Sequence, residues 1–238
     1  MSDKELIKKY IPHNEIDEAL IKLESGIPVQ YIIGNVDFYN STFLVNENVL
    51  IPRFETELLV GKTIKRIKEY NITNPNILEI GTGSGCISIS MKKEIVGSID
   101  AVDISNKALD LAKLNANNND VFVNFILCDI NDFKTDKKYD VIISNPPYVS
   151  YDEEVDEKTK YEPQNAIFAK DEGLYFYKLI LSKLKNNLKE KYLICFEIGE
   201  KQGNKVKELA KKELKDSNIY IEKDYTNRER YVFITNYE

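Results

Sequence analysis

Histidine is almost absent from this chain: His13 is the only one in 238 residues. That argues against a histidine-based catalytic triad and against a histidine-rich metal cluster. Cysteine is scarce as well. Cys86, Cys128 and Cys195 are odd in number and far apart, so they fit neither zinc spacing nor a disulfide framework. Free thiols in a reducing cytoplasm are the expectation. No apolar run approaches the length of a membrane span, and the charged start Met1-Ser2-Asp3-Lys4-Glu5-Leu6 lacks the apolar stretch of a signal peptide. An excess of positive charge is missing too. Thirty-nine acids stand against 33 bases, for a formal charge of -6, so no strongly basic domain announces nucleic-acid binding. Long flexible linkers, internal repeats and low-complexity tracts are also lacking.

What is present is an alternation of two periodicities. The length suits one large domain or one with a small appendage, and 42% apolar residues suffice for a real core. Residues 3–25 read as helix, with Ile16, Ala19, Leu20 and Leu23 at helical spacing and Gly26 and Pro28 ending the run. From Phe38 to Ile51 the pattern is that of a hairpin turning at Asn46-Glu47-Asn48. A helix is expected to begin near Thr56 as its cap, carrying Val60, Ile64 and Ile67. Strands are then expected at 76–80, 98–103, 121–128, 139–144 and 192–198, and helices at 84–93, 105–117, around Tyr177 to Leu188, and at 202–214. Such alternation implies a parallel sheet covered by helices. The last two strands, 218–222 and 230–235, are separated by a turn too short for a parallel crossover and must pair antiparallel.

Two motifs sit at strand ends in this pattern. The first is Asn145-Pro146-Pro147-Tyr148, after Tyr139 to Ser144. Pro146 has a fixed φ and no N–H, and Pro147 pushes Pro146 away from the helical region, so the segment is a stiff extended turn. Asn145 there offers an amide oxygen and an amide NH2 on a rigid backbone, with carbonyls beside it and Tyr148 as a flat wall. Such a turn suits a planar NH2 group, although a pair of prolines after a strand is also compatible with a plain loop.

The second motif is Glu79-Ile80-Gly81-Thr82-Gly83-Ser84-Gly85, at the join of the first sheet strand and its helix. Glycines permit a tight turn and close approach of a ligand, and the helix start offers free N–H groups. Asp103 ends the next strand, at the distance where a carboxylate can bind ribose hydroxyls, and Asp129 ends the one after, where it could face an adenine ring. Cys86 stands where the NAD fingerprint needs glycine or alanine, and a P-loop lysine is missing. The spacing of an acid followed by alternate glycines points instead to S-adenosylmethionine (SAM).

With these motifs in place, the chain resembles the class I SAM-dependent methyltransferases. More narrowly, it resembles the protein-(glutamine-N5) methyltransferases of peptide chain release factors. Further segments carry the resemblance: Gly26 to Gly34 with Asp37-Phe38-Tyr39, Ile51-Pro52-Arg53-Phe54-Glu55-Thr56-Glu57, Tyr161-Glu162-Pro163 with Asp171-Glu172-Gly173-Leu174, and Asn227-Arg228-Glu229-Arg230. The Asn-Pro-Pro-Tyr element is shared with N6-adenine methyltransferases, so adenine in DNA or RNA is the alternative acceptor. A non-catalytic SAM-binding module is a further one. The acidic balance disfavours nucleic acid as substrate.

The resemblance implies a Rossmann-like, mostly parallel α/β sheet ending in an antiparallel hairpin. It divides the chain into a short helical region (1–34), a β-hairpin linker (35–54) and a SAM-dependent methyltransferase domain (55–238). It also implies methylation of the glutamine of a Gly-Gly-Gln segment in a release factor, leaving S-adenosylhomocysteine and needing no metal. Asn145, Pro146 and Tyr148 would act on the acceptor. Glu79, Gly81, Thr82, Gly83, Ser84, Gly85, Asp103, Ile104, Asp129, Ile130 and Asn145 would hold SAM. Pro147, Phe38 and Phe54 would join Asn145, Pro146 and Tyr148 around the substrate. Glu79 is expected either to touch SAM or to orient the loop, and Arg53 to pair with Glu57 or another acid. Two departures stand out. Phe54 replaces a proline usual in the family, and only one or two helices precede Gln30-Tyr31, against a larger helical domain there.

Overall fold

Side chains on a strand point alternately to opposite faces, and that period decides what packs on each side of the central sheet. In the computed structural model, which describes residues 1–238, strands β3 (Asn76–Ile80) and β6 (Tyr139–Ser144) lie side by side and parallel. Ile77, Val141 and Ile143 face one layer, while Leu78, Ile80, Tyr139 and Ile142 face the other. The first layer is completed by α4 (Phe54–Glu69) and α5 (Cys86–Glu94), the second by α7 (Tyr175–Leu184) and α8 (Gly203–Glu213). Each fully buried Leu, Ile or Phe contributes about 1.5–3 kcal/mol. Val141, Ile142 and Ile143 are all wholly buried, which explains why β6 reads as a continuous apolar run.

The remaining strands are β4 (Ser98–Asp103), β5 (Asn124–Leu127), β9 (Leu188–Glu197), β10 (Asn218–Lys223) and β11 (Glu229–Thr235), with α6 (Asn106–Asn118) crossing between β4 and β5. The sheet order is β10-β11-β9-β6-β3-β4-β5. β11 runs antiparallel to both its neighbours, and the other pairings are parallel, as the short final turn requires. The chain leaves β3 toward β4 and β5, then returns to β6 on the other side. The crevice between the carboxyl ends of β3 and β6 is therefore the topological switch point, where ligands bind in open α/β sheets. The glycine loop and Asn145 occupy those two ends.

Outside the sheet, three expectations need correction. Residues 3–25 form two helices rather than one, α1 (Asp3–Tyr10) and α2 (Ile16–Glu24). Pro12 forces Ile11 into an extended conformation and stops the first helix. With α3 (Val29–Ile33) they close on a small core of Ile7, Ala19 and Val29. The hairpin lies earlier than expected: β1 (Asn35–Phe38) pairs with β2 (Ser41–Leu44) through Tyr39 and Asn40, both at positive φ, as a two-residue turn demands. Asn46-Glu47-Asn48 does turn, with Asn46 Oδ1 accepting from the Asn48 N–H at 3.0 Å, but Val49 and Ile51 pair with no strand. Val49 packs on Ala108 and Leu111 of α6 instead. Finally, α4 begins at Phe54, and Thr56 lies buried in its first turn rather than capping it. Short strands β7 (Val149–Ser150) and β8 (Phe168–Ala169) pair beside the switch point. No helix is long and apolar enough to cross a membrane.

Candidate active site

The glycine loop is tied down by its own backbone. Gly81, Gly83 and Gly85 all have positive φ, a region side chains other than glycine's occupy poorly. The N–H groups of Gly81 and Thr82 donate to the Val102 carbonyl, that of Gly85 to the Thr82 carbonyl, and that of Gly83 to Asp103 Oδ2 at 2.8 Å. The other Asp103 oxygen accepts from the Ser105 N–H at 2.9 Å. Asp103 thus holds the loop against β4, and burial raises its carboxyl above the usual aspartate range against the pull of these hydrogen bonds. Below the loop, Glu79 is wholly buried; its Oε2 accepts from the Thr82 hydroxyl at 2.7 Å and the Ser88 N–H at 3.2 Å. Burial pushes the Glu79 carboxyl up to about 7.

A cavity of about 370 Å³ opens at the switch point, within the range of small-molecule sites. Gly81, Gly83, Asp103, Ile104, Asp129, Ile130, Asn145, Pro146 and Pro147 all line it, together with Phe176 and the segment Glu47 to Leu50. Glu79, Thr82, Ser84 and Gly85 do not: they lie buried under the loop they shape. The charges on the wall are one-sided. Glu47, Asp103 and Asp129 contribute carboxylates, and no lysine or arginine lines the cavity. A pyrophosphate would meet carboxylates without any cationic partner, whereas a cationic ligand such as a sulfonium meets complementary charge.

On the β6 side, Asn145 is half-buried and its Nδ2 donates to Thr56 Oγ1 at 3.0 Å. Its Oδ1 accepts no hydrogen bond from the chain, and neither does the Pro146 carbonyl. Tyr148 does not line the cavity as expected. Its hydroxyl turns toward Glu197 at 3.3 Å, and its ring lies against Gly199. Burial, with the neighbouring Glu197 carboxylate, raises its phenol well above the ordinary value. Phe38 is also misplaced by the sequence reading. It is 1% exposed in the main core, edge-on to Phe43 at 5.8 Å, because the β1 pleat points it inward. Phe54, at the start of α4, is exposed and stacks on Tyr225 at 5.4 Å rather than walling the cavity.

Two supports were invisible as such in the sequence. Glu162 is buried and binds Arg53 through one oxygen at 2.5 Å and the Ile51 N–H through the other at 3.1 Å. The Arg53 partner is therefore Glu162 rather than Glu57, and the pair joins the Pro-Arg segment to the Tyr-Glu-Pro segment. The Tyr148 carbonyl is held by Gln202 Nε2 at 2.8 Å, and Gly173 packs against it at φ +78. A methyl group on residue 173 would stand 1.9 Å from that carbonyl oxygen. Gly173→Ala is therefore expected to lower stability by about 2 kcal/mol or more in chemical denaturation. An unchanged midpoint would refute the close approach.

The chain is similar to known proteins along most of its length. Residues 55–172 match the methyltransferase small domain family. A release factor glutamine methyltransferase of Streptococcus pneumoniae is 40% identical over 223 residues, covering 92% of this chain and 78% of that protein. One of Fusobacterium nucleatum is 40% identical over 229 residues, covering 92% of this chain; the chain spans 63% of that relative's length. Among solved structures, a release factor-specific protein-(glutamine-N5) methyltransferase from Alicyclobacillus acidocaldarius superposes with a TM-score of 0.51 at 24% identity, covering 82% of this chain and 100% of that one. The fold is that of the class I methyltransferases, and the similarity to relatives sharing two fifths of its residues shows that this chain belongs to the release factor glutamine methyltransferase family.

Proposed function

We propose that this chain methylates the side-chain amide nitrogen of a glutamine in a peptide chain release factor, using SAM as donor. The observation that carries the reading is one cavity that joins both halves of such a reaction. Asp103 and Asp129 line it with no lysine or arginine beside them, and so do Asn145 and Pro146, whose amide oxygen and carbonyl accept no hydrogen bond from the chain. When bound, SAM supplies an electrophilic methyl group on a sulfonium. Asp103 would accept from ribose hydroxyls with the lone pairs that Gly83 and Ser105 leave free. Asp129 and Ile130 would flank the base, and Gly81 and Gly83 would let the methionine moiety approach the backbone.

An amide nitrogen is a poor nucleophile because its lone pair is delocalised into the carbonyl. Asn145 Oδ1 and the Pro146 carbonyl would each accept one hydrogen bond from the substrate NH2. That fixes the nitrogen in orientation, favours localisation of its lone pair, and places two carbonyl dipoles beside the positive charge that develops on it. Residues 55–238 carry the glycine loop and Asn145, while the 35–54 segment closes the cavity through Glu47 to Leu50.

The test incubates the purified chain with isotopically labelled SAM and, separately, release factor or nucleic acid. Label on the release factor, mapped by mass spectrometry to the glutamine of the Gly-Gly-Gln segment, is the expected result. Label on adenine, or on neither, would overturn it.

A further inference from the structure

We infer that Thr56, held by the buried Glu197, is a positioning residue that decides which way round the Asn145 amide stands. The inference deepens the acceptor role proposed for Asn145 and rests on it. Glu197 ends β9 and is 2% exposed. Its Oε2 accepts from the Thr56 hydroxyl at 2.7 Å, and its Oε1 faces the Tyr148 hydroxyl at 3.3 Å. Thr56 is itself buried, and its oxygen lies 3.0 Å from the Asn145 amide.

A hydroxyl has one proton, and an ionised carboxylate only accepts. The Thr56 proton is therefore committed to Glu197, and the Thr56 oxygen presents lone pairs to Asn145. The Asn145 atom facing it must then be the NH2 group. The amide oxygen is left on the cavity side, where the substrate NH2 needs an acceptor. The reversed amide would set a carbonyl against those lone pairs and offer an NH2 to the acceptor nitrogen. It would lose one hydrogen bond and leave a buried hydroxyl oxygen without a donor.

The device depends on the charge of Glu197. A proton on the oxygen facing Thr56 reverses that hydrogen bond, frees the Thr56 proton for Asn145, and favours the wrong amide orientation. The charged and titratable groups facing Glu197 are Arg230 and Tyr231 from β11, Glu55 from α4, Cys86 from α5, Tyr148 after β6, and Tyr177 of α7, whose hydroxyl donates to the Glu197 backbone carbonyl at 2.8 Å. Burial outweighs the Thr56 hydrogen bond and Arg230 and pushes the Glu197 carboxyl up to about 7. The ordered arrangement is thus complete above that pH and is lost as pH falls through it.

The experiment compares the full-length wild type with Thr56→Val and Thr56→Ser. Turnover of a release factor by the valine variant is expected to fall roughly tenfold or more, with KM for SAM within about twofold of wild type. The serine variant restores the hydroxyl and recovers most of the rate. The wild-type pH profile has an acidic limb near 7, which the serine variant keeps and the valine variant lacks. A valine variant with wild-type kcat and an unchanged acidic limb would overturn the inference. A second readout needs no acceptor. The Asn145 side-chain NH2 signals, assigned in NMR spectra by their loss in Asn145→Ala, should titrate near pH 7 in wild type and not in Thr56→Val. Signals that ignore pH in wild type would also overturn it. A wild type that titrates in this way but leaves release factors unmodified would instead break the proposed function.

Discussion

Replacing Asn145 with alanine is expected to reduce methyl transfer by about 100- to 1,000-fold, the range seen when one preorganised polar partner of a transition state is removed. SAM affinity should change by no more than about threefold, because Asn145 is one of several residues expected to hold SAM and the others that line the cavity, Gly81, Gly83, Asp103, Ile104, Asp129 and Ile130, lie on or after β3, β4 and β5. The separation follows from the geometry. The amide oxygen of Asn145 is free of partners in the chain, and its NH2 group is fixed by Thr56, so truncation removes a preset acceptor. Single-turnover kinetics with a release factor, beside calorimetry with SAM, measures the two effects independently. A variant that turns over at the wild-type rate would remove Asn145 from the reaction. A variant that no longer binds SAM would place it on the donor side instead. Because Pro146 is buried and the following Tyr148 carbonyl is held by Gln202, the turn itself should survive the substitution.

The second large effect is expected at Asp103. Asp103→Ala should weaken SAM binding by roughly 10- to 100-fold, the equivalent of about 1.5–3 kcal/mol for hydrogen bonds to a charged group. Two losses combine. The carboxylate no longer meets the ribose hydroxyls, and the Gly83 and Ser105 N–H groups lose the partners that hold the loop at 2.8 Å and 2.9 Å. Calorimetry of SAM binding reads the sum. Asp103→Asn separates the parts, since an asparagine keeps one acceptor oxygen and can hold the Gly83 N–H. It is expected to bind more tightly than the alanine variant and less tightly than wild type. Unchanged affinity in Asp103→Ala would exclude the ribose role.

Much of this was legible in the sequence because it depends on neighbours close along the chain. The buried strands β3, β4 and β6 and the helices between them follow from periods of two and of about three and a half. The positive φ of Gly81, Gly83 and Gly85 follows from the residue type. The antiparallel end of the sheet followed from the shortness of one turn. What was misread has a common cause. Val49 and Ile51 alternate as a strand would, but Val49 packs on a helix and the Ile51 N–H serves Glu162, 111 residues away. Thr56 reads as a cap because threonine favours that place, yet its hydroxyl is committed to Glu197. Phe38, Phe54 and Tyr148 read as walls because aromatic residues flank the motifs. Strand pleat, helix phase and a buried carboxylate turn all three elsewhere.

By itself, then, the sequence determined the layered parallel sheet, the two motifs at its switch point, and the kind of chemistry they suit. Only the tertiary structure decided which polar atoms face the cavity. Asn145 lies 89 residues from Thr56, and Thr56 lies 141 from Glu197. The direction in which a single hydroxyl proton points is fixed by partners that meet only when the chain folds.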